Sequence, residues 1–129
     1  MKSDDKKKRI LVADDEENLR HMLQVILRKN GYVVDTAADG EAALWMAKES
    51  EYAFILCDIR MPALDGIGFL KRAVAEGVCG TIIMMSAYGT VDSAIECMKL
   101  GAYDYISKPF NKDEIVSFVK SVSKSIKHE

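Results

Sequence analysis

Short apolar runs alternate five times with amphipathic segments along this chain of 129 residues. The runs at residues 10–13, 53–57 and 82–85 carry no charged side chain, which is typical of strands buried on both faces of a parallel sheet. Each amphipathic segment has the period of a helix with one apolar face. Strands and helices that repeat in this way are joined by right-handed crossovers. The sequence therefore predicts an α/β fold, a doubly wound parallel sheet of five βα units.

The pattern and the turn residues place the individual elements. Strands are predicted at residues 10–13, 32–37, 53–58, 81–86 and 104–107. Asn30-Gly31 ends the first helix, and Asp39-Gly40 and Asp65-Gly66 mark the turns before the second and third. The apolar stripes of the five helices are Leu19, Met22, Leu23, Ile26 and Leu27; Ala43, Met46 and Ala47; Ile67, Leu70 and Val74; Val91, Ala94, Ile95 and Met98; and Ile115, Phe118, Val119, Val122 and Ile126.

Length and composition limit the chain to one compact domain. Hydrophobic residues make up 49% of it, which suits a single core. The net charge of −2 argues against a domain-wide nucleic-acid surface. No apolar stretch approaches the ~20 residues of a membrane span, and residues 1–9 lack the apolar core of a signal peptide. We expect a cytoplasmic protein with tails at 1–7 and 128–129 around a domain at 8–127, and the helical pattern that persists at Ile126 suggests a longer natural chain.

The three cysteines are interpreted as buried free thiols. Cys57, Cys79 and Cys97 are odd in number, and each stands alone in apolar or helical sequence. This spacing suits neither a disulfide framework nor a metal site. Met98 is likewise assigned to the core.

Polar side chains stand at the carboxyl ends of four predicted strands. They are Asp14 and Asp15 after the first strand, Asp58 at the end of the third, Ser86 at the end of the fourth and Lys108 after the fifth. Open α/β sheets bind their ligands beyond these strand ends, so one crevice is expected to collect all five side chains. Taken singly, each could be a helix cap or a turn residue. Because all five stand at the carboxyl ends of strands, a ligand-binding site is favoured.

Three carboxylates in one crevice need compensating positive charge, because like charges at close range cannot all stay ionised. Hard oxygen ligands without a histidine or cysteine cluster favour Mg²⁺, and Lys108 supplies a second positive charge. A carboxylate flanked by Mg²⁺ and an ammonium group is a suitable nucleophile for a phosphoryl group. Ser86 can donate a hydrogen bond to the phosphate that results. The residues therefore predict phosphoryl transfer to an aspartate.

The order of these motifs resembles the receiver domain of two-component response regulators over residues 8–127. The motifs are Asp14-Asp15, residues 58–62 with Asp65-Gly66, Ser86-Ala87 and residues 108–110. Residues 87–90 and 98–105 more narrowly resemble receivers of the nitrogen-regulation type. Those receivers precede an ATPase domain and a DNA-binding domain in sigma-N-dependent transcription activators. The resemblance implies a flavodoxin-like fold with the strand order 2-1-3-4-5.

The resemblance also assigns roles in the site. Asp58 would accept a phosphoryl group from a sensor histidine kinase. Mg²⁺ would be held by Asp14, Asp15, Asp58 and the backbone carbonyl of Arg60. Lys108 would bind the phosphoryl oxygens together with the serine that ends the fourth strand. Such a domain is not an enzyme for other substrates, since it catalyses only its own phosphorylation and dephosphorylation.

Ser86 and Tyr105 would form the switch that responds to the phosphate. Ser86 would move to the phosphoryl group, and Tyr105 would turn from an exposed to a buried position. The face of the fourth helix, fifth strand and fifth helix, with Ile95, Met98 and Ala102, would report the state. The partners implied are an output region with ATPase and DNA-binding domains beyond residue 129 and a second copy in a phosphorylation-dependent homodimer. Neither a membrane nor a nucleic acid would contact this domain directly.

Two other classes of protein remain open from the sequence alone. A phosphohydrolase with an aspartyl-phosphate intermediate would need similar groups, but it usually carries an Asp-x-Asp motif after the first strand, whereas Asp14 and Asp15 are adjacent. A flavin-binding protein would share the fold, but the acidic residues 14–17 would repel the cofactor phosphate.

Histidines and glycines add no competing site. His21 lies on the polar side of the first helix and His128 in the tail, so neither is interpreted as a phosphodonor or a metal ligand. Gly66 and Gly68 match a dinucleotide fingerprint only weakly, because they follow a loop and the third glycine is missing.

Overall fold

The computed structural model describes residues 8–87 and 91–127, with their side chains except at 91, 92 and 125–127. The predictions for the side chains of Val91, Ile126 and His128 lie outside this part. Strands and helices alternate as predicted. They are β1 (Arg9–Ala13), α1 (Glu17–Lys29), β2 (Val33–Ala37), α2 (Gly40–Glu49), β3 (Phe54–Asp58), α3 (Gly66–Ala75), β4 (Thr81–Ser86), α4 (Val91–Leu100), β5 (Asp104–Ser107) and α5 (Lys112–Lys127).

All five strands form one parallel sheet in the order β2-β1-β3-β4-β5. The predicted strand order is therefore confirmed. The register pairs Leu11 of β1 with Asp35 of β2 on one side and with Ile55 of β3 on the other. The order reverses between β1 and β3, and this is where the carboxyl ends of parallel strands leave a crevice for ligands.

Helices cover both faces of the sheet. Successive strand residues point to opposite faces, so Leu11 and Ile55 contribute to a core with α2, α3 and α4, whereas Val12 and Leu56 contribute to a core with α1 and α5. Burial on both faces explains why the central strands are apolar throughout. None of the helices in the described part of the chain combines the length and apolarity that a membrane span requires.

Four predictions about burial are wrong. Val74 of α3 is 53% exposed, because Phe69, Leu70 and Ala73 form the buried side of that helix. Ile95 and Met98 of α4 are each 46% exposed, and Cys97 takes the inward position on that helix. Cys79 is exposed in the connection to β4, whereas Cys57 and Cys97 are buried as predicted. In both helices the buried side is displaced by one position from the predicted stripe.

The helices that begin near the carboxyl ends of the strands start in two different ways. Asp39 accepts a hydrogen bond from the Ala42 amide at the start of α2 (2.8 Å), and Asp65 accepts one from the Gly68 amide at the start of α3 (2.8 Å). Both are ordinary side-chain caps. The residue before α1, Glu16, makes no side-chain cap hydrogen bond. The first helix therefore starts without the side-chain cap that is present at the start of α2 and α3.

Candidate functional site

The three predicted acidic residues meet at the carboxyl edge of the sheet. Asp14 follows β1, and Asp58 is the last residue of β3. One carboxylate oxygen from each of Asp14, Asp15 and Asp58 lies within 4.8 Å of the others. Asp14 is fully buried, Asp58 is 7% exposed and Asp15 is exposed. The cluster therefore has a buried floor and one carboxylate that faces solvent.

Lys108 brings a cation to this cluster from the end of β5. Its Nζ donates a hydrogen bond to Asp14 Oδ2 at 2.6 Å and lies 3.5 Å from Asp58 Oδ1. The other Asp14 oxygen accepts a hydrogen bond from the Glu16 amide at 2.9 Å. Asp14 is thus satisfied at both oxygens, while Asp58 has the longer interaction with the ammonium group.

The site disfavours the charge of Asp58 and favours the charge of Lys108. Burial raises the pKa of the Asp58 carboxyl, and the nearby Asp14 charge raises it further, against the opposing effect of Lys108. Burial alone would lower the pKa of the Lys108 ammonium, but its hydrogen bond to Asp14 and the charges of Asp14 and Asp58 outweigh burial and raise it. Lys108 is therefore charged at neutral pH, and it compensates the buried charge of Asp58 only in part.

The donor set suits a hard divalent cation. The cluster offers three carboxylate oxygens, and none of its members is a histidine or cysteine. Mg²⁺ is typically held by one or two carboxylates together with water and phosphate oxygens. The exposed position of Asp15 leaves room for such ligands on the solvent side. The residues therefore fit Mg²⁺ better than zinc.

The loop after Asp58 carries the fourth predicted ligand, the Arg60 carbonyl. Arg60 is exposed, and the loop is tied down on both sides of it: the Ile59 amide donates to the Met85 carbonyl (3.0 Å), and the Gly66 amide donates to the Ile59 carbonyl (2.7 Å). The role of the Arg60 carbonyl remains a prediction.

Ser86 and Tyr105 lie on neighbouring strands beside the cluster. Ser86 is 6% exposed at the end of β4, and its carbonyl accepts a hydrogen bond from the Lys108 amide at 2.9 Å. This bond links the predicted phosphate-binding residues through the backbone. The roles of Ser86 and Lys108 in binding phosphate remain predictions.

The movement of Tyr105 between two positions stays a prediction, and the structure gives one of its conformations. Tyr105 is half-buried and packs against the core on the α4 side, and its hydroxyl oxygen is shielded from solvent without a hydrogen-bond partner among the described residues. Ala102, expected on the reporting face, is buried, whereas Ile95 and Met98 on that face are each 46% exposed.

Two contacts at the site were missed by the sequence interpretation. Arg20, the fourth residue of α1, donates from Nη1 to the backbone carbonyl of Asp14 at 2.8 Å. The available signal was a basic residue close behind an acidic pair. At Gly66, a Cβ atom would overlap the backbone carbonyl oxygen of Asp58. This glycine is therefore required by close packing at the end of β3, not by a nucleotide.

His21 is exposed on α1. Its predicted position on the polar side of that helix is therefore confirmed.

Known proteins are similar to this chain over most of its length. The family model described as the response regulator receiver domain matches residues 10–120. The regulatory protein AtoC of Escherichia coli (strain K12) is 37% identical over 126 residues, which is 93% of this chain and 27% of that protein. The transcriptional regulatory protein ZraR of the same strain is 40% identical over 106 residues, 82% of this chain and 24% of that protein. The chain thus spans about a quarter of the length of these relatives.

Solved structures agree in fold. The receiver domain of the Francisella response regulator 1452 superposes with a TM-score of 0.86 at 33% identity, over 92% of this chain and 98% of the other. The beryllofluoride-activated NtrC4 receiver domain dimer superposes with a TM-score of 0.83 at 33% identity, again over 92% and 98% of the two chains. The flavodoxin-like topology predicted from the sequence is confirmed.

Proposed function

This chain belongs to the family of response regulator receiver domains, which are phosphorylation-controlled switches, and we propose that Asp58 is the residue that accepts its phosphoryl group. The observation that carries the proposal is the position of Asp58 at the end of β3, 3.5 Å from Lys108 Nζ and within the carboxylate cluster. Asp14 is committed to two hydrogen bonds, and Asp15 is exposed. Asp58 is therefore the carboxylate best prepared to act as a nucleophile.

The chemistry is an in-line displacement at phosphorus. An Asp58 carboxylate oxygen forms the new P–O bond while the P–N bond of a kinase phosphohistidine breaks, and the electron pair of that bond leaves with the imidazole. Lys108 neutralises charge on the phosphoryl oxygens, and the Ser86 hydroxyl donates a hydrogen bond to them. Asp14, Asp15, Asp58 and the Arg60 carbonyl would hold Mg²⁺. When bound, the ion offsets the negative charge of the acids and the phosphoryl group.

The proposed partners are a sensor histidine kinase as phosphodonor and a transcriptional output. Similarity to AtoC and ZraR, which carry regulatory names, supports this output and a place among receivers of sigma-N-dependent activators. The NtrC4 dimer supports a homodimer of the phosphorylated form. We further propose that the domain catalyses only its own phosphorylation and dephosphorylation.

The proposal is tested by incubation with acetyl phosphate and Mg²⁺. Intact mass spectrometry should show one added phosphoryl group per wild-type chain and none on Asp58→Asn. Glu16→Gln is the matched control, because Glu16 is an exposed acid beside the cluster. It should be labelled like the wild type. Labelling of Asp58→Asn at the wild-type rate would contradict the proposal, and many turnovers of a small phosphate ester would indicate a phosphohydrolase instead.

The metal site has a separate test. Asp15→Ala should keep the fold and lose Mg²⁺ affinity, because it removes the exposed carboxylate of the cluster. An NMR titration with Mg²⁺ measures this. An unchanged titration would place the metal elsewhere.

A further inference from the structure

Arg20 connects the first helix to the acidic cluster. It is the fourth residue of α1 and is half-buried. Its side chain reaches back past the start of the helix to the Asp14 carbonyl, where the N–O distance is 2.8 Å. A hydrogen bond from a charged donor to a carbonyl is stronger than one between neutral groups. The contact therefore restrains the backbone between β1 and α1.

This restraint acts on the segment that carries two of the three acids. The Asp14 carbonyl belongs to the planar peptide unit that joins Asp14 to Asp15, so its direction sets the course of the chain into Asp15. Like charges within 4.8 Å tend to push the segment away from Asp58. α1 has no side-chain cap at Glu16 that would oppose this movement, in contrast to α2 and α3.

We propose that Arg20 is a positioning residue for the cation site. It holds the Asp14-Asp15 peptide so that both carboxylates converge with Asp58 before a cation binds, and its guanidinium charge offsets part of their repulsion. A site that is organised in advance loses less free energy to ordering when the ligand arrives. The inference rests on the proposed function, because the cation serves the phosphorylation of Asp58.

The test compares two arginines that make the same kind of bond on the same helix. Arg28, at the other end of α1, donates from Nη2 to the Val34 carbonyl at 3.2 Å. The carbonyl lies six residues after Arg28, whereas that of Asp14 lies six residues before Arg20. Arg20→Met should weaken Mg²⁺ binding about 10-fold, as expected for the loss of one charged hydrogen bond. Arg28→Met should bind Mg²⁺ like the wild type. Affinity is measured from the amide shifts of residues 14–17 and 58–59 during titration.

Two further readouts separate positioning from general stability. In the metal-free protein, the Glu16 amide, which donates to Asp14 Oδ1, should exchange its hydrogen faster in Arg20→Met than in Arg28→Met. Phosphorylation by acetyl phosphate should slow in Arg20→Met at low Mg²⁺ and recover at saturating Mg²⁺. Arg20→Lys keeps the charge with a shorter reach, so its Mg²⁺ affinity should lie between the wild type and Arg20→Met; as the milder change it decides the question if Arg20→Met does not fold.

The outcomes are distinguishable. If the folded Arg20 variants bind Mg²⁺ as tightly as the wild type, or if Arg28→Met weakens binding equally, the positioning role is wrong while Asp58 stays the acceptor. If the wild-type protein itself neither binds Mg²⁺ nor becomes labelled on Asp58, the proposed function fails and this inference fails with it.

Discussion

At the residue scale, Asp58 carries a charge that the metal-free fold does not fully compensate. Burial, and then the charge of Asp14, raise the pKa of Asp58 in the folded protein. The folded state therefore binds a proton more tightly at Asp58 than the unfolded state does. Ionised Asp58 reduces stability above its folded pKa, and this penalty disappears as the pH falls below its unfolded pKa, about 3.9. The residue that we propose as the phosphoryl acceptor is thus one whose charge the fold disfavours.

Asp58→Asn should consequently stabilise the metal-free protein at pH 7, by on the order of 1 kcal/mol. The advantage should shrink as the pH is lowered through the folded pKa of Asp58. Urea unfolding at several pH values measures the difference. Saturating Mg²⁺ should reverse the order, because only the wild type gains the full free energy of cation binding. A wild type that is the more stable protein at pH 7 without Mg²⁺ would contradict the assignment of the penalty to Asp58.

The sequence located the charged residues of the site but not the contacts that organise them. Asp14, Asp58 and Lys108 were predictable because each stands where a buried strand ends, and the parallel topology brings these ends together. Arg20 was not, since its role depends on a side chain that folds back over an uncapped helix. The shielded position of the Tyr105 hydroxyl was missed as well, because it depends on how α4 packs against β5.

At the scale of elements, the start of α3 lies unusually close to the end of β3. A Cβ at Gly66 would overlap the Asp58 carbonyl oxygen and would lie 2.7 Å from Ile59 Cα. At Gly68, by contrast, the nearest atom is Leu64 Cδ1 at 2.7 Å, the end of a flexible side chain. The backbone that carries Asp58 thus depends on Gly66 and not on Gly68.

Gly66→Ala should destabilise the protein by roughly 1–3 kcal/mol, because the backbone of β3 or α3 must shift to admit the methyl group. Phosphorylation of Asp58 should slow as well. Gly68→Ala is the matched control: Leu64 can move, and alanine favours a helix interior by about 1 kcal/mol, so its net effect should be small. Urea unfolding and acetyl phosphate labelling measure both. Equal stability of the two variants would show that the close approach at Gly66 costs nothing.

The predicted switch of Ser86 and Tyr105 also belongs to this scale, since it would link β4 to β5. We predict that Ser86→Ala and Tyr105→Ala are still phosphorylated on Asp58 but lose most of the wild-type amide shift changes across residues 87–106. Ser107→Ala is the control, because Ser107 pairs with Ser86 in the sheet yet is exposed. It should respond fully. A complete response of phosphorylated Ser86→Ala would disprove coupling through that hydroxyl.

Element boundaries were predicted well because they follow local signals. Alternation, Asp-Gly turns and apolar runs placed all five strands to within one residue at each end. The predicted burial of Val74, Ile95 and Met98, by contrast, was wrong. The rotation of a helix about its own axis is set by the shape of the sheet beneath it, to which Phe69 and Cys97 are matched. Periodicity defines an apolar stripe but not its centre.

At the scale of the whole molecule, three exposed apolar side chains lie on or just after α4, next to the predicted switch. Ile95 and Met98 are each 46% exposed and Tyr103 is 39% exposed, at or just after α4. Phosphorylated wild type should sediment as a dimer and the unphosphorylated protein as a monomer. Met98→Glu should raise the dissociation constant of the dimer at least ~10-fold while Asp58 is still labelled, because the interface would bury an unpaired charge.

Val25→Glu supplies the control for this prediction. Val25 is a similarly exposed apolar residue, at 39%, on α1, which packs on the opposite face of the sheet. That variant should dimerise like the wild type after phosphorylation. A normal dimer of Met98→Glu, or loss of the dimer in Val25→Glu, would place the interface elsewhere.

The separation of Asp14 and Lys108 along the chain has a consequence for biosynthesis. The two partners are 94 residues apart, and Lys108 follows β5, the last strand to leave the ribosome and an edge strand of the sheet. A nascent chain that ends after β4 already holds all three acids but has no ammonium group between them. Under the proposed function, such an intermediate would present Asp58 without Lys108, so we expect phosphorylation only after β5 and Lys108 have been added.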